Sequence, residues 1–259
     1  MVATVFVNGR IFAPAGPASY TSITGPFCEA MLVVDDKIAR VAHTGDEQIQ
    51  LAMNGGAVID LQGRVMLPGF VDSHVHLLSF GSSLQQLDLF PCKNVDDVQE
   101  TIWTYARSNP SERFLVCKGW MQATTGGEFS NASILDDLDP RPIFINSMDM
   151  HSVLCNTAAI KAMKLDSIPE PAGGTIYRDE NGKPTGLLAE SALGLVRSYL
   201  DRAASMEDKL SHLDKAVAAY TAEGYTGLID MGMDDEQWAV LDRYRSDHNG
   251  FPLHIAAHW

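Results

Sequence analysis

The chain has 259 residues, 46% of them hydrophobic, with 21 Gly and 12 Pro, which excludes a disordered or fibrous polypeptide and favours a turn-rich mixed α/β layout. Nineteen Lys and Arg against 33 Asp and Glu give a formal charge of −14, so the surface repels the phosphate backbone of a nucleic acid. Four cysteines, Cys28, Cys92, Cys117 and Cys155, form no CxxC pair and read as buried free thiols rather than a disulfide framework. The N-terminus lacks a basic segment followed by an apolar core, and no 18-residue apolar run occurs, so a cytoplasmic protein with no membrane partner is expected.

In chain order, Thr4–Val7, Ala30–Val34, Lys37–Ala42, Ala57–Ile59 and Val65–Leu67 are short apolar runs between turns and predict a small β-rich layer. Asp35-Asp36-Lys37 provides a tight connection between two of these strands. At Leu67-Pro68-Gly69 the text changes to an apolar stretch, Phe70-Val71, that ends in Asp72-Ser73-His74-Val75-His76. Phe70 and Val71 are expected to anchor a central strand. A helix is predicted over Val95–Ala106 after Asn94, then buried strands at Phe114–Cys117 and Pro142–Ile145. The Gly/Pro-rich stretch Pro169–Gly186 predicts a hairpin. Helical periodicity follows over Leu187–Leu200 and Ser205–Glu223, with Ser205 as cap and Gly224 as stop. Thr226–Ile229 reads as a strand, Asp234–Arg245 as a helix and Phe251–Ala257 as a strand.

His74 and His76 are one residue apart, and in a strand both imidazoles face one side and can reach one metal. The same spacing also arises by chance. Asp72 can orient a ligand or set the local charge, and Asp230 stands at a predicted strand end. Trp120 and Tyr177 are aromatic residues that either line an apolar pocket or pack in the core. Glu190 lies in a predicted helix, where a surface or salt-bridge role is expected. His254 and His258 read as strand-end or surface residues.

Pro68-Gly69-Phe70-Val71-Asp72-Ser73-His74-Val75-His76-Leu77 resembles the first barrel-strand signature of the amidohydrolase superfamily. The blocks Asp149-Met150-His151-Ser152, Asn156-Thr157-Ala158-Ala159, Pro171–Asp179, Gly182–Gly186 and Gly224-Tyr225-Thr226 resemble its YtcJ-like branch, amidohydrolase family 3. The resemblance implies part of a metal-dependent (β/α)8 barrel. Residues 1–67 are then the N-terminal part of a composite β-sandwich, and residues 68–259 the opening portion of the barrel, with an inserted α/β excursion around 80–204. It further implies that His74 and His76 ligate a divalent metal, most simply zinc. Asp72, His151, Trp120, Tyr177 and Asp230 become candidates for supporting the ligands or binding substrate.

The family's metal-bridging Lys, later metal-binding His residues and catalytic Asp have no matching block before Trp259, so the acid/base Asp is expected to be absent from this chain. The implied reaction is hydrolysis of a non-peptide carbon–nitrogen bond in a small molecule, such as an amide or N-substituted formamide. The alternative is a catalytically inactive, truncated scaffold. A partial barrel is expected to expose apolar surface and self-associate.

Overall fold

In a computed structural model of the chain, residues 2–13, 26–121 and 131–259 are described. They divide into two units, Met1–Phe70 and Val71–Trp259.

The first unit contains β1 (Ala3–Val7), β2 (Arg10–Phe12), β3 (Phe27–Cys28), β4 (Ala30–Val34), β5 (Lys37–Ala42), α1 (Glu47–Met53), β6 (Ala57–Asp60) and β7 (Val65–Met66). Four strands form a sheet in the order β5-β4-β1-β6, and three more pair as β3-β2-β7. The five predicted runs are all strands, and the β4–β5 hairpin turns through Asp35, whose φ of 54° is left-handed. Alternation along β1 sends Val5 and Val7 inward onto Ala30, Leu32, Ala42 and Ile49. The β-rich expectation missed α1. Asp46 caps that helix by accepting the Gln48 and Ile49 N–H groups, and Arg40 grips the same carboxylate at 2.8 and 2.6 Å.

All but the first residue of β8 (Phe70–Val75) belongs to the second unit, followed by α2 (Leu77–Ser83). It continues with β9 (Leu87–Asp88), α3 (Val95–Ser108), β10 (Leu115–Trp120), α4 (Ser133–Asp136), β11 (Ile143–Ser147), β12 (Ser152–Cys155), α5 (Thr157–Met163), β13 (Gly174–Arg178) and β14 (Pro184–Glu190). It ends with α6 (Leu193–Ala203), α7 (Met206–Ala222), β15 (Tyr225–Asp230), α8 (Asp235–Asp247) and β16 (His254–Ala257). Six consecutive strands make a sheet in the order β13-β14-β12-β11-β10-β9, parallel from β9 to β11 and antiparallel beyond. Both faces are covered. Ile143 and Ile145 of β11 join one apolar cluster with Ile102, Leu115 and Leu154, while Phe144 between them joins another with Val153, Ile160 and Leu188.

The predicted hairpin within Pro169–Gly186 is β13–β14. The helix expected from Leu187 is corrected: Leu187 and Leu188 pair with Leu154 and Val153 of β12, so β14 continues to Glu190 and α6 begins at Leu193. Leu and Ala favour helices intrinsically, but a strand slot between two partners overrides that preference.

The remaining strands form a sheet in the order β16-β15-β8. Phe70 and Val71 do stand in a strand, β8; among the described residues β15 lies between β16 and β8, and Phe70 and Val71 are 49% and 60% exposed. Helix α7 starts with a reciprocal capping box between Ser205 and Asp208. It buries Leu213, Ala216 and Val217 against Val75, Leu77, Leu228 and Val240. Gly81 of α2 meets α7 so closely that an added Cβ would lie 2.1 Å from the His212 carbonyl oxygen. The architecture is α/β, and no sheet closes on itself among the described residues. No helix among them is long and apolar enough to cross a membrane.

Candidate metal-binding strand

Strand β8 delivers Asp72 and His74, and its chain leaves the sheet at His76, the residue before α2. The two imidazoles are exposed and meet edge to face, with ring centroids 5.9 Å apart. Gly232 lies against His76. A Cβ there would come within 3.2 Å of the imidazole Cε1 and 3.3 Å of Nδ1, so the missing side chain leaves the ring its place.

Asp230, at the end of β15, is 3% exposed. Its Oδ2 accepts the Leu77 N–H at 2.8 Å and its Oδ1 accepts the Gly232 N–H at 3.1 Å. The His76 side chain provides no cap for α2, so a carboxylate from another strand satisfies the first helical N–H and adds negative charge at the helix N-terminus. The same Oδ1 lies 4.0 Å from His76 Nδ1, which is electrostatic range rather than a hydrogen bond.

Asp72 is also held on both oxygens. Oδ1 accepts the His74 N–H at 3.0 Å, and Oδ2 accepts the Tyr220 hydroxyl at 2.9 Å. Burial, and then the hydrogen bond to Asp72, push the Tyr220 phenol well above its ordinary range, so the hydroxyl remains a donor. Tyr220 was not singled out from the sequence. Leu213, Ala216, Val217 and Tyr220 recur at helical spacing, so Tyr220 reads there as one more member of an apolar stripe.

The structure thus brings Asp72, His74, His76 and Asp230 together. His151 stands elsewhere, beyond the end of β11, with Nδ1 3.1 Å from Glu190 Oε2. Glu190 raises the His151 pKa by hydrogen bonding and charge, and Met150 and Glu190 are both left-handed. Glu190 closes β14 instead of lying in a helix. Trp120 is 1% exposed and packs in the core cluster with Ile102, Leu115 and Leu135. Tyr177 is 45% exposed on β13. His254 and His258 are exposed, although the His258 backbone N–H bonds the Asp230 carbonyl at 2.8 Å.

A cleft of about 680 Å³ lies along α2, α6 and α7, lined by Ser79, Phe114, Lys118, Val196 and His212. Neither histidine of the pair lines it.

Two neutral imidazoles suit zinc or another borderline divalent ion, and a carboxylate beside one of them is the usual outer support of such a ligand. The donor chemistry therefore fits a cation in part: among the described residues, no group of three His, Cys, Asp or Glu is placed to hold one.

Among proteins of similar sequence are three relatives. Protein LONG AFTER FAR-RED 3 of Arabidopsis thaliana is 31% identical over 87% of this chain and 37% of its own length. "Putative amidohydrolase YtcJ" of Bacillus subtilis (strain 168) is 36% identical over 53% of this chain and 27% of its own. N-substituted formamide deformylase of Arthrobacter pascens is 32% identical over 78% of this chain and 39% of its own. The chain thus spans well under half the length of each. The crystal structure of an uncharacterized metal-dependent hydrolase from Pyrococcus horikoshii OT3 matches with a TM-score of 0.74 at 20% identity, over 99% of this chain and 48% of that one, a likeness of fold. Residues 57–258 match the amidohydrolase family profile (Amidohydro_3), most of the chain's length, and the chain belongs to that family.

Proposed function

We propose that this chain carries part of the active site of a metal-dependent hydrolase that cleaves a non-peptide carbon–nitrogen bond in a small molecule, an amide or N-substituted formamide. The three strands β8, β15 and β16 are, in this reading, the opening strands of a (β/α)8 barrel. One observation carries the reading: two exposed imidazoles at the end of β8, edge to face at 5.9 Å, with a buried carboxylate behind the second. His74 and His76 are the donors to a divalent cation, with zinc the best match to paired imidazoles. When bound, such a cation supplies Lewis-acid polarisation of a carbonyl and lowers the pKa of water. Asp230 fixes the backbone N–H groups of Leu77, which follows His76, and of Gly232, which lies against its ring, and the exposure of both rings leaves room for substrate. Family membership and 32% identity to N-substituted formamide deformylase support the class of bond.

The test is hydrolysis of a panel of amides and N-substituted formamides by the zinc-supplied protein beside His74→Ala and His76→Ala. Turnover lost in both variants supports the proposal; turnover that survives both substitutions overturns it.

A second reading is a scaffold that binds metal weakly and does not hydrolyse by itself. The donor count favours it, because a catalytic zinc site commonly uses three protein ligands and no group of three donors stands together among the described residues. No turnover on the panel, with zinc still bound through His74 and His76, selects this reading.

A further inference from the structure

Among the described residues, strand β8 carries the histidine pair with β15 as its strand neighbour. Helix α7 holds this segment at two points. After the pair, Gly81 of α2 sits directly against the His212 carbonyl of α7. Before it, Tyr220 of α7 donates its hydroxyl to Asp72, two residues ahead of His74, and joins positions 148 apart in the sequence. The Tyr220 ring is wedged edge-on between Phe80 and Tyr225, each at a centroid distance of 5.1 Å. Phenylalanine would fill that aromatic slot equally well. Packing therefore explains the ring but not the hydroxyl, whose partner is the carboxylate that also holds the His74 N–H.

We infer that Tyr220 is a positioning residue for the histidine pair: its hydroxyl fixes the Asp72 carboxylate, and Asp72 in turn fixes the backbone at His74. The consequence for metal binding rests on the proposed role of His74 and His76; the positioning itself does not. With the hydroxyl in place, one Asp72 oxygen is occupied and the other is aimed at the His74 N–H. Without it, the carboxylate can rotate into water and the His74 N–H loses a fixed acceptor.

The test uses Tyr220→Phe, Asp72→Asn and the double variant, each read in two ways. In the metal-free protein, amide hydrogen exchange at His74 is expected to quicken about fivefold in Tyr220→Phe, the size of one ordinary hydrogen bond. Asp72→Asn should produce a similar change, with no further change in the double variant. With zinc and a competing chromophoric chelator, Tyr220→Phe is expected to weaken affinity about tenfold, as loss of an outer support does, again with no further loss in the double variant. Unchanged His74 exchange in Tyr220→Phe, or additive effects in the double variant, overturns the inference. Should Tyr220→Phe fail to fold, Asp72→Asn decides alone through the same amide. If exchange responds as expected while zinc affinity ignores His74→Ala, positioning stands and the metal role of the pair falls.

Discussion

Asp230 accepts the backbone N–H of Leu77 at 2.8 Å across 153 positions of sequence. Its other oxygen takes the Gly232 N–H, so one buried carboxylate fastens the start of α2 to the turn after β15, with His76 between them. Replacing it with alanine leaves two N–H groups without that acceptor, at about 1–3 kcal/mol for each that remains buried. Asp230→Ala is therefore expected to lower the urea midpoint strongly. Asp230→Asn, which keeps one acceptor oxygen, should fall between it and the parent.

His74→Ala and His76→Ala should behave in the opposite sense. Both side chains are exposed, and such substitutions usually change stability by no more than about 0.5 kcal/mol. Zinc affinity measured by chelator competition is expected to drop at least about tenfold in each while the melting curve stays in place. A large shift in melting would mean that the rings support the fold instead.

Gly81→Ala sets two effects of opposite sign against each other. Alanine is favoured over glycine within a helix by up to about 1 kcal/mol, but the new methyl would lie 2.1 Å from the His212 carbonyl oxygen. Backbone oxygen cannot swing aside, so α2 and α7 must separate, at about 1–3 kcal/mol. The clash is expected to win, giving a net loss in a denaturant melt despite the better helix former.

The His151–Glu190 pair predicts a pH dependence. Glu190 raises the His151 pKa above its ordinary value near 6.5, so the folded state holds this proton more tightly than the unfolded one. The stabilisation is fully present below the unfolded pKa and is lost as pH rises through the folded value. Glu190→Gln should return the His151 proton resonances toward an ordinary titration and flatten that part of the stability profile. An unchanged midpoint would show that the pair does not form in solution.

Cys117 and Cys155 are fully buried, and desolvation pushes both thiols far above their ordinary range. Cys28 and Cys92 are also buried. A thiol-specific disulfide reagent is expected to react slowly with the native protein and to count all four once it is unfolded.

The legible part of the candidate site was the part that lies in one stretch of sequence. Asp72, His74 and His76 announce themselves because polar residues directly after Phe70-Val71 are too closely spaced to fill a core. Asp230 was visible only as an acid at a strand end, since its partners Leu77 and Gly232 are backbone groups that carry no side-chain signature. Tyr220 was hidden by its place in the stripe that begins at Leu213. In the fold, Asn94 and Ser205 marked helix starts that the structure keeps. The Leu187–Glu190 segment misled because its helix-forming composition says nothing about the open slot beside β12 that captures it.

The six-stranded sheet takes all its strands from one continuous stretch, Leu87–Glu190, while α2 before it and α7 after it pack on each other at Gly81 and His212. For the three-stranded sheet, that stretch is an excursion whose ends are already held together. Closing a longer excursion is entropically inexpensive, about 0.6 kcal/mol for each doubling of its length. The body of the excursion can therefore lengthen, shorten or change its surface with little strain on the grip at its base. Variation in this lineage is expected to collect in the six-stranded sheet and its loops, and the α2–α7 contact to set the boundary that such variation does not cross.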